Sequence, residues 1–226
     1  MASYMLVIAV VCSALVTSFA FEGCIVRYGL RACEEVMLEG VLVTCDGLDR
    51  EQDIPVNVPQ DAVYLSLNNF RLDTLRKSDF EAFASVQCLT IENSGINKIE
   101  ADAFSTMLGL KELTIDGSNI DSASLQFINQ DTFNVQVLKV TNAPNIHEIR
   151  LAPTKNLNEV KTLSFAGNSI SAFDFEVFDE LKSLASLDLS RNKLETLDWS
   201  AFRQIDTLNQ LFLDNNRLNH RPHHFY

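Results

Sequence analysis

The chain has 226 residues, 46% of them hydrophobic and 21% charged, with a net charge of −12 and a pI near 4.7. That composition supplies enough apolar mass for a sizeable core and excludes a disordered chain. The acidity argues against nucleic acid and anionic membrane surfaces as partners, since both select basic patches; a basic protein or a divalent cation suits it better, and a merely solvated acidic surface remains open.

Residues 1–20 carry no charged side chain and read as a secretory signal peptide. Met5–Val16 is an almost unbroken apolar run, and Ser18-Phe19-Ala20 sets small residues around a cleavage point. The run is too short for a bilayer span, which takes about 20 apolar residues, and no second stretch of that length follows. The expectation is a secreted, extracellular chain with no membrane span.

Residues 21–60 form the next unit, with Cys24, Cys33 and Cys45 followed by Ile54-Pro55-Val56-Asn57-Val58-Pro59. Val41-Leu42-Val43 is expected to form an edge or antiparallel strand that covers the apolar end of whatever follows.

Residues 61–219 repeat. Leu184–Leu194 reads L-x-x-L-x-L-x-x-N-x-L without departure, and the same frame begins again at 62, 86, 110, 135, 160 and 208. The steps are therefore 24 or 25 residues over seven copies. Within each copy L-x-L alternates apolar with polar, the mark of a short strand with one buried face: Leu65/Leu67, Leu89/Ile91, Leu113/Ile115, Leu138/Val140, Leu163/Phe165, Leu187/Leu189 and Leu211/Leu213. Strands at this spacing, with no hairpin-length turn between them, must be parallel and joined by crossovers. The period and the motif resemble those of extracellular leucine-rich repeat proteins.

The resemblance implies an α/β-type solenoid, a right-handed horseshoe with a parallel concave sheet and an irregular, helix-poor convex side. Residues 21–60 are similar to the cysteine-rich N-terminal cap of that family, through Val43-Thr44-Cys45-Asp46-Gly47-Leu48 and the I-P-x-x-x-P ending, although such caps carry four cysteines and this one shows three. Asn168, Asn192 and Asn216 keep the ninth-position asparagine, whose amide turns inward to satisfy the turn backbone. Phe70, Ser94, Ser118 and Ala143 replace it earlier, which predicts a less regular N-terminal half. Phe80, Phe104, Phe178 and Phe202 share one offset and are expected to stack as a convex spine, interrupted between 121 and 157.

Outside the leader the cysteines are Cys24, Cys33, Cys45 and Cys88. Two strand spacings, roughly 10 Å, are expected to separate Cys88 from the cap, beyond the ~7 Å that a bridge tolerates. The expectation is one cap disulfide, Cys24–Cys33 or Cys33–Cys45, with Cys88 a free thiol able to link a second chain.

No nucleophile–base, phosphate-loop or metal-ligand motif occurs, so the sequence predicts neither an enzyme nor a cofactor or metal. His220, His223 and His224 in the tail, residues 220–226, lack further ligands at a useful spacing. That tail, with Phe225 and Tyr226, is one expected cover for the last repeat; a dimer surface and a longer chain are the others. Binding is expected on the concave face. Its central outward row is Ser66, Thr90, Thr114, Lys139, Ser164, Asp188 and Phe212, and two places on stand Asn68, Glu92, Asp116, Thr141 and Asp214. Seven strands give a face roughly 29 Å long, the size of one protein footprint. The resemblance implies a secreted module that binds a protein partner there. The alternatives are an assembly subunit, including a disulfide-linked homo-oligomer, or a cell-surface receptor ectodomain cut short.

Overall fold

The leucine pairs become strands because each strand can bury one face only against its neighbours. The computed structural model describes residues 18–21, 23–35, 37–47, 54–55, 57–150, 157–174, 178 and 180–219. In chain order the strands are β1 (Ser18–Phe21), β2 (Cys24–Ala32), β3 (Met37–Asp46), β4 (Ala62–Asn68), β5 (Thr74–Leu75), β6 (Cys88–Glu92) and β7 (Lys98–Ile99). Then come β8 (Glu112–Asp116), β9 (Val137–Thr141), β10 (Glu148–Ile149), β11 (Thr162–Ser164), β12 (Ala172–Phe173), β13 (Ser186–Asp188) and β14 (Gln210–Phe212). One 10-stranded sheet runs β1-β2-β3-β4-β6-β8-β9-β11-β13-β14. Its first two pairings are antiparallel and all later ones parallel. The pairs β5–β7 and β10–β12 form two-stranded ladders, each one element further along the chain than the sheet strand it follows.

The register is that of the repeat. Leu65, Leu89, Leu113, Leu138, Leu163, Leu187 and Leu211 lie directly opposite one another along the sheet. All but half-exposed Leu211 are buried, and each such side chain contributes about 1.5–3 kcal/mol through lost apolar exposure. Beneath them the phenylalanines stack as expected, Phe80 on Phe104 at 5.1 Å and Phe178 on Phe202 at 5.1 Å between ring centres. Phe127 and Phe133, out of register in sequence, both reach Phe104, at 5.2 and 6.4 Å, so the aromatic contacts run on into the irregular middle. Beyond Phe202 a cavity of about 340 Å³ opens, lined by Trp199, Phe202, Ile205, Leu208 and Leu211; the tail expected to cover this end lies outside the described residues.

The ninth-position asparagines work as the sequence reading expects. Asn192 Oδ1 accepts from Ile170 N at 3.0 Å, and its Nδ2 donates to Phe165 O at 2.8 Å and Leu189 O at 3.1 Å, all buried. Asn216 makes the equivalent bonds one repeat on; Asn168 donates equivalently one repeat before but accepts from Ala143 N, two places earlier in its neighbour. Ser94 does part of the job, accepting from Phe70 N and donating to Glu92 O; Ser118 Oγ, buried, makes no such bond. The expected irregularity of the N-terminal half is overturned. Its strands are 7, 5, 5 and 5 residues long, against 3 each for β11, β13 and β14. The amides claim the carbonyls of Phe165, Leu189 and Leu213 just past the strand ends, although the N–H groups of Gly167 and Arg191 beyond them still bond the next repeat.

One residue before each of those positions the chain takes a left-handed turn. Asn69, Asn93, Asn142, Arg191 and Asn215 all have φ between 50° and 57°. Gly117 and Gly167 complete the column at φ 67° and 71°. A Cβ at Gly167 would fall 2.2 Å from Asn142 Oδ1, so a side chain there requires the Asn142 amide to move. Arg191 bears the steric cost that Asn and Gly avoid.

The cysteine expectations are corrected. Cys24 joins Cys45, directly opposite it across the β2–β3 hairpin, and Cys33 joins Cys88 with 6.8 Å between their Cα atoms. Neither Cys24–Cys33 nor Cys33–Cys45 forms, and Cys88 is no free thiol for linking chains. The error lay in keeping the cap in the sheet's plane. β2 and β3 are 9 and 10 residues long, and their turn folds over the outward face of β4, β6 and β8.

Two substitutions test these turns. Asn192→Ala strands three buried backbone groups and should lower the unfolding free energy by about 2–4 kcal/mol, read by denaturant melts at unchanged slope. Arg191→Asn should raise it by about 0.5–1 kcal/mol, whereas Arg191→Val should lower it by about 1–2 kcal/mol; the opposite order would mean that the left-handed turn carries no strain.

Candidate binding face

Alternation fixes which side chains leave the sheet. Ser66, Thr90, Thr114, Lys139, Ser164, Asp188 and Phe212 sit in one register row across seven strands, as the sequence predicts. Asn68, Glu92, Asp116 and Thr141 make the next row. A third row, unremarked in the sequence reading, lies two places before the central one: Tyr64, Cys88, Glu112 and Val137.

The rows are unequally available. Ser66 and Ser164 are buried, and their hydroxyls bond locally, Ser66 Oγ to Asn68 Oδ1 and Ser164 Oγ to the N–H of Ala166. Asp116 accepts from Thr141 Oγ1 and, at 2.6 Å, from Asn142 Nδ2. Asp188 accepts from Ser190 N at 2.9 Å, and Asp214 from Asn215 Nδ2 at 2.8 Å. Thr90, Glu92 and Thr114 are half-exposed. Phe212, 44% exposed, is the large apolar side chain that stands open on the central row.

This third row lies under the cap hairpin. Arg31 places its guanidinium 4.7 Å over the Tyr64 ring and donates to Tyr64 Oη at 3.2 Å. Leu38, buried, packs with Tyr64 and Cys88. The backbone N–H groups of Glu34 and Glu35 donate to the two carboxylate oxygens of Glu112 at 2.9 and 2.7 Å. The same two residues turn their own carboxylates to lysines: Glu34 pairs with Lys139, and Glu35 with Lys161 at 2.9 Å. The hairpin thus forms an arm that touches five successive repeats. Its outer surface leaves Tyr28, Leu30 and Met37 57–69% exposed.

Glu34, Glu35, Arg31, Tyr64, Glu112 and Lys161 were not legible as a cluster in the sequence. A signal was present: alternating stretches of 9 and 10 residues separated by a short link mark a hairpin much longer than Val41–Val43. Cys33, Cys88 and Glu112 lie close enough to hold a metal, but both sulfurs are spent in the disulfide. Among the described residues no helix is long and apolar enough to cross a membrane.

Residues 133–194 and 158–218 match the family model described as leucine rich repeat. No curated protein matches the chain. Among solved structures, an internalin from Listeria monocytogenes aligns at 20% identity and TM-score 0.53, covering 75% of this chain and 53% of its own. The leucine-rich repeat domain of the type III effector XopL aligns at 16% identity and TM-score 0.50, covering 60% of this chain and 46% of its own. The Toll–Spätzle complex of Drosophila aligns at 23% identity and TM-score 0.48, covering 70% and 24%. The chain therefore spans about half the length or less of these structures. Residues 133–218 are thus leucine-rich repeats by sequence, and the parallel sheet has the leucine-rich repeat fold.

Proposed function

We propose that the protein is a secreted, non-catalytic module that recognises a protein partner through its concave strand face. The observation that carries this reading is the outward row itself: seven strands in strict register hold side chains that the core does not need. The buried amide bonds keep that face rigid, which lowers the ordering cost of docking. Oxidised cysteine pairs fit an extracellular setting. In this reading residues 1–20 are the leader, 21–60 the cap and 61–219 the repeats, with β1 (Ser18–Phe21) running across the first of these boundaries.

Within the face the arm narrows the footprint. It occupies the third row on β4, β6 and β8 and engages Lys139, one of the expected contact residues. The open part is Thr90, Glu92 and Thr114 together with the C-terminal strands, where Phe212 stands between Asp188 and Asp214 in row and sequence. An exposed aromatic ringed by polar groups is the composition of an interface anchor. The remaining charges there are acidic, which favours a basic partner surface.

The fold is shared with the internalin and effector domains, but a scaffold of this kind serves many partners. An assembly subunit and a receptor ectodomain remain alternatives to a lone binder, now without a role for Cys88 in linking chains. Affinity capture from extracellular fluid with the secreted protein as bait, followed by titration of the captured partner, tests the reading. Phe212→Ala and Asp188→Lys should each weaken binding by about tenfold or more, while Leu108→Ala, 73% exposed and away from the strand rows, should leave it unchanged. Equal affinity for all three variants would remove the concave face from the account.

A further inference from the structure

We propose that the Cys33–Cys88 disulfide is a cleavable latch, whose reduction by a thiol releases the arm from the concave face while Cys24–Cys45 keeps the cap folded. The two bridges differ in access. Cys24 and Cys45 are 2% and 0% exposed and lie within paired strands. Cys88 is 2% exposed, but Cys33 is half-exposed at the hairpin turn, so its sulfur is the one a reductant can approach. Exchange runs by in-line attack of a thiolate on an accessible sulfur.

The step balances with a small dithiol as reductant. Its thiolate attacks Cys33 Sγ, the Cys33–Cys88 bond breaks, and Cys88 leaves as a thiolate that takes up a proton. The second thiol of the reductant then displaces Cys33, which is likewise protonated, and the reductant departs as a disulfide. Two electrons pass to the protein, and two thiols replace one bridge.

What remains on the arm is non-covalent, and Arg31, stacked on and bonded to Tyr64, is its contact nearest the strand pairing. Glu34 with Lys139 and Glu35 with Lys161 are ion pairs with side chains 28–45% exposed, and pairs so open to water contribute little. The two N–H bonds to Glu112 and the packing of Leu38 depend on the tip staying in place. Without the bridge, the tip's only covalent tether is through β2 and β3. Opening would bare Tyr64, Glu112, Lys139 and Lys161 together, freeing two cations and adding a new row to a face whose other charged residues, Glu92, Asp116, Asp188 and Asp214, are acidic. That this changes recognition rests on the binding reading above; that the arm opens does not.

The test therefore needs no partner. The oxidised, full-length secreted protein is titrated with dithiothreitol, and samples are alkylated and mapped for labelled cysteines. Amide exchange is read on the reduced, unalkylated protein. Cys33 and Cys88 should label at reductant levels that leave Cys24 and Cys45 joined. Exchange at Glu34, Glu35 and Leu38 should rise by about tenfold or more, with Leu187 and Leu189 unchanged. The double variant Cys33→Ser/Cys88→Ser should show the same exchange without reductant; if it fails to fold, the wild-type titration decides. Simultaneous reduction of both bridges, or arm amides that stay protected once Cys33 and Cys88 are reduced, would overturn the proposal.

Discussion

No turn of this solenoid satisfies its own backbone. A parallel strand must leave the sheet at its end, and the groups exposed there are bonded by the neighbouring repeat. Ile170 N reaches forward to Asn192, and Phe165 O receives both its own repeat's amide and the next one's. Each repeat is therefore complete only when the following one is in place, and the two-stranded ladders repeat the arrangement on the return path. The leucine row supplies the larger share of the free energy, but apolar contact is non-directional. It is the amide bonds that fix the step from one repeat to the next and so hold the outward row straight.

That logic explains what could be read from the residues alone. A leucine at a two-residue spacing has one way to face inward, so the seven strands, their register and the outward row follow from periodicity. The phenylalanine stack follows from a shared offset in the same way. The left-handed column was equally written in the chain, as Asn, Asn, Gly, Asn, Gly, Arg, Asn one place before the ninth position. Arg191 hides it, because a long basic side chain announces no turn.

The arm was hidden for a different reason. Its hydrogen-bonding partners stand 33 to 126 residues apart in sequence, and no periodic rule connects a cap to the repeat that it will lie upon. A hairpin is predictable from alternation; the direction in which it bends is not. The pairing of Cys33 with Cys88 depended on that bend, and reasoning from flat strand spacing led to the wrong bridge. Glu112 shows the same dependence. A carboxylate on a strand looks like ordinary surface charge, yet here it receives two backbone N–H groups and is nearly covered.

The arm also divides the solenoid by how its length can change. It measures a fixed distance, from Tyr64 through Cys88 and Glu112 to Lys139 and Lys161. A repeat gained or lost within that span would shift each later contact by one strand spacing, about 4.8 Å, and the arm would meet the wrong residues. After Lys161 no described contact of the arm counts the repeats. Gene duplication could lengthen the C-terminal half one unit at a time and extend the open face, while the arm keeps the N-terminal half at constant length.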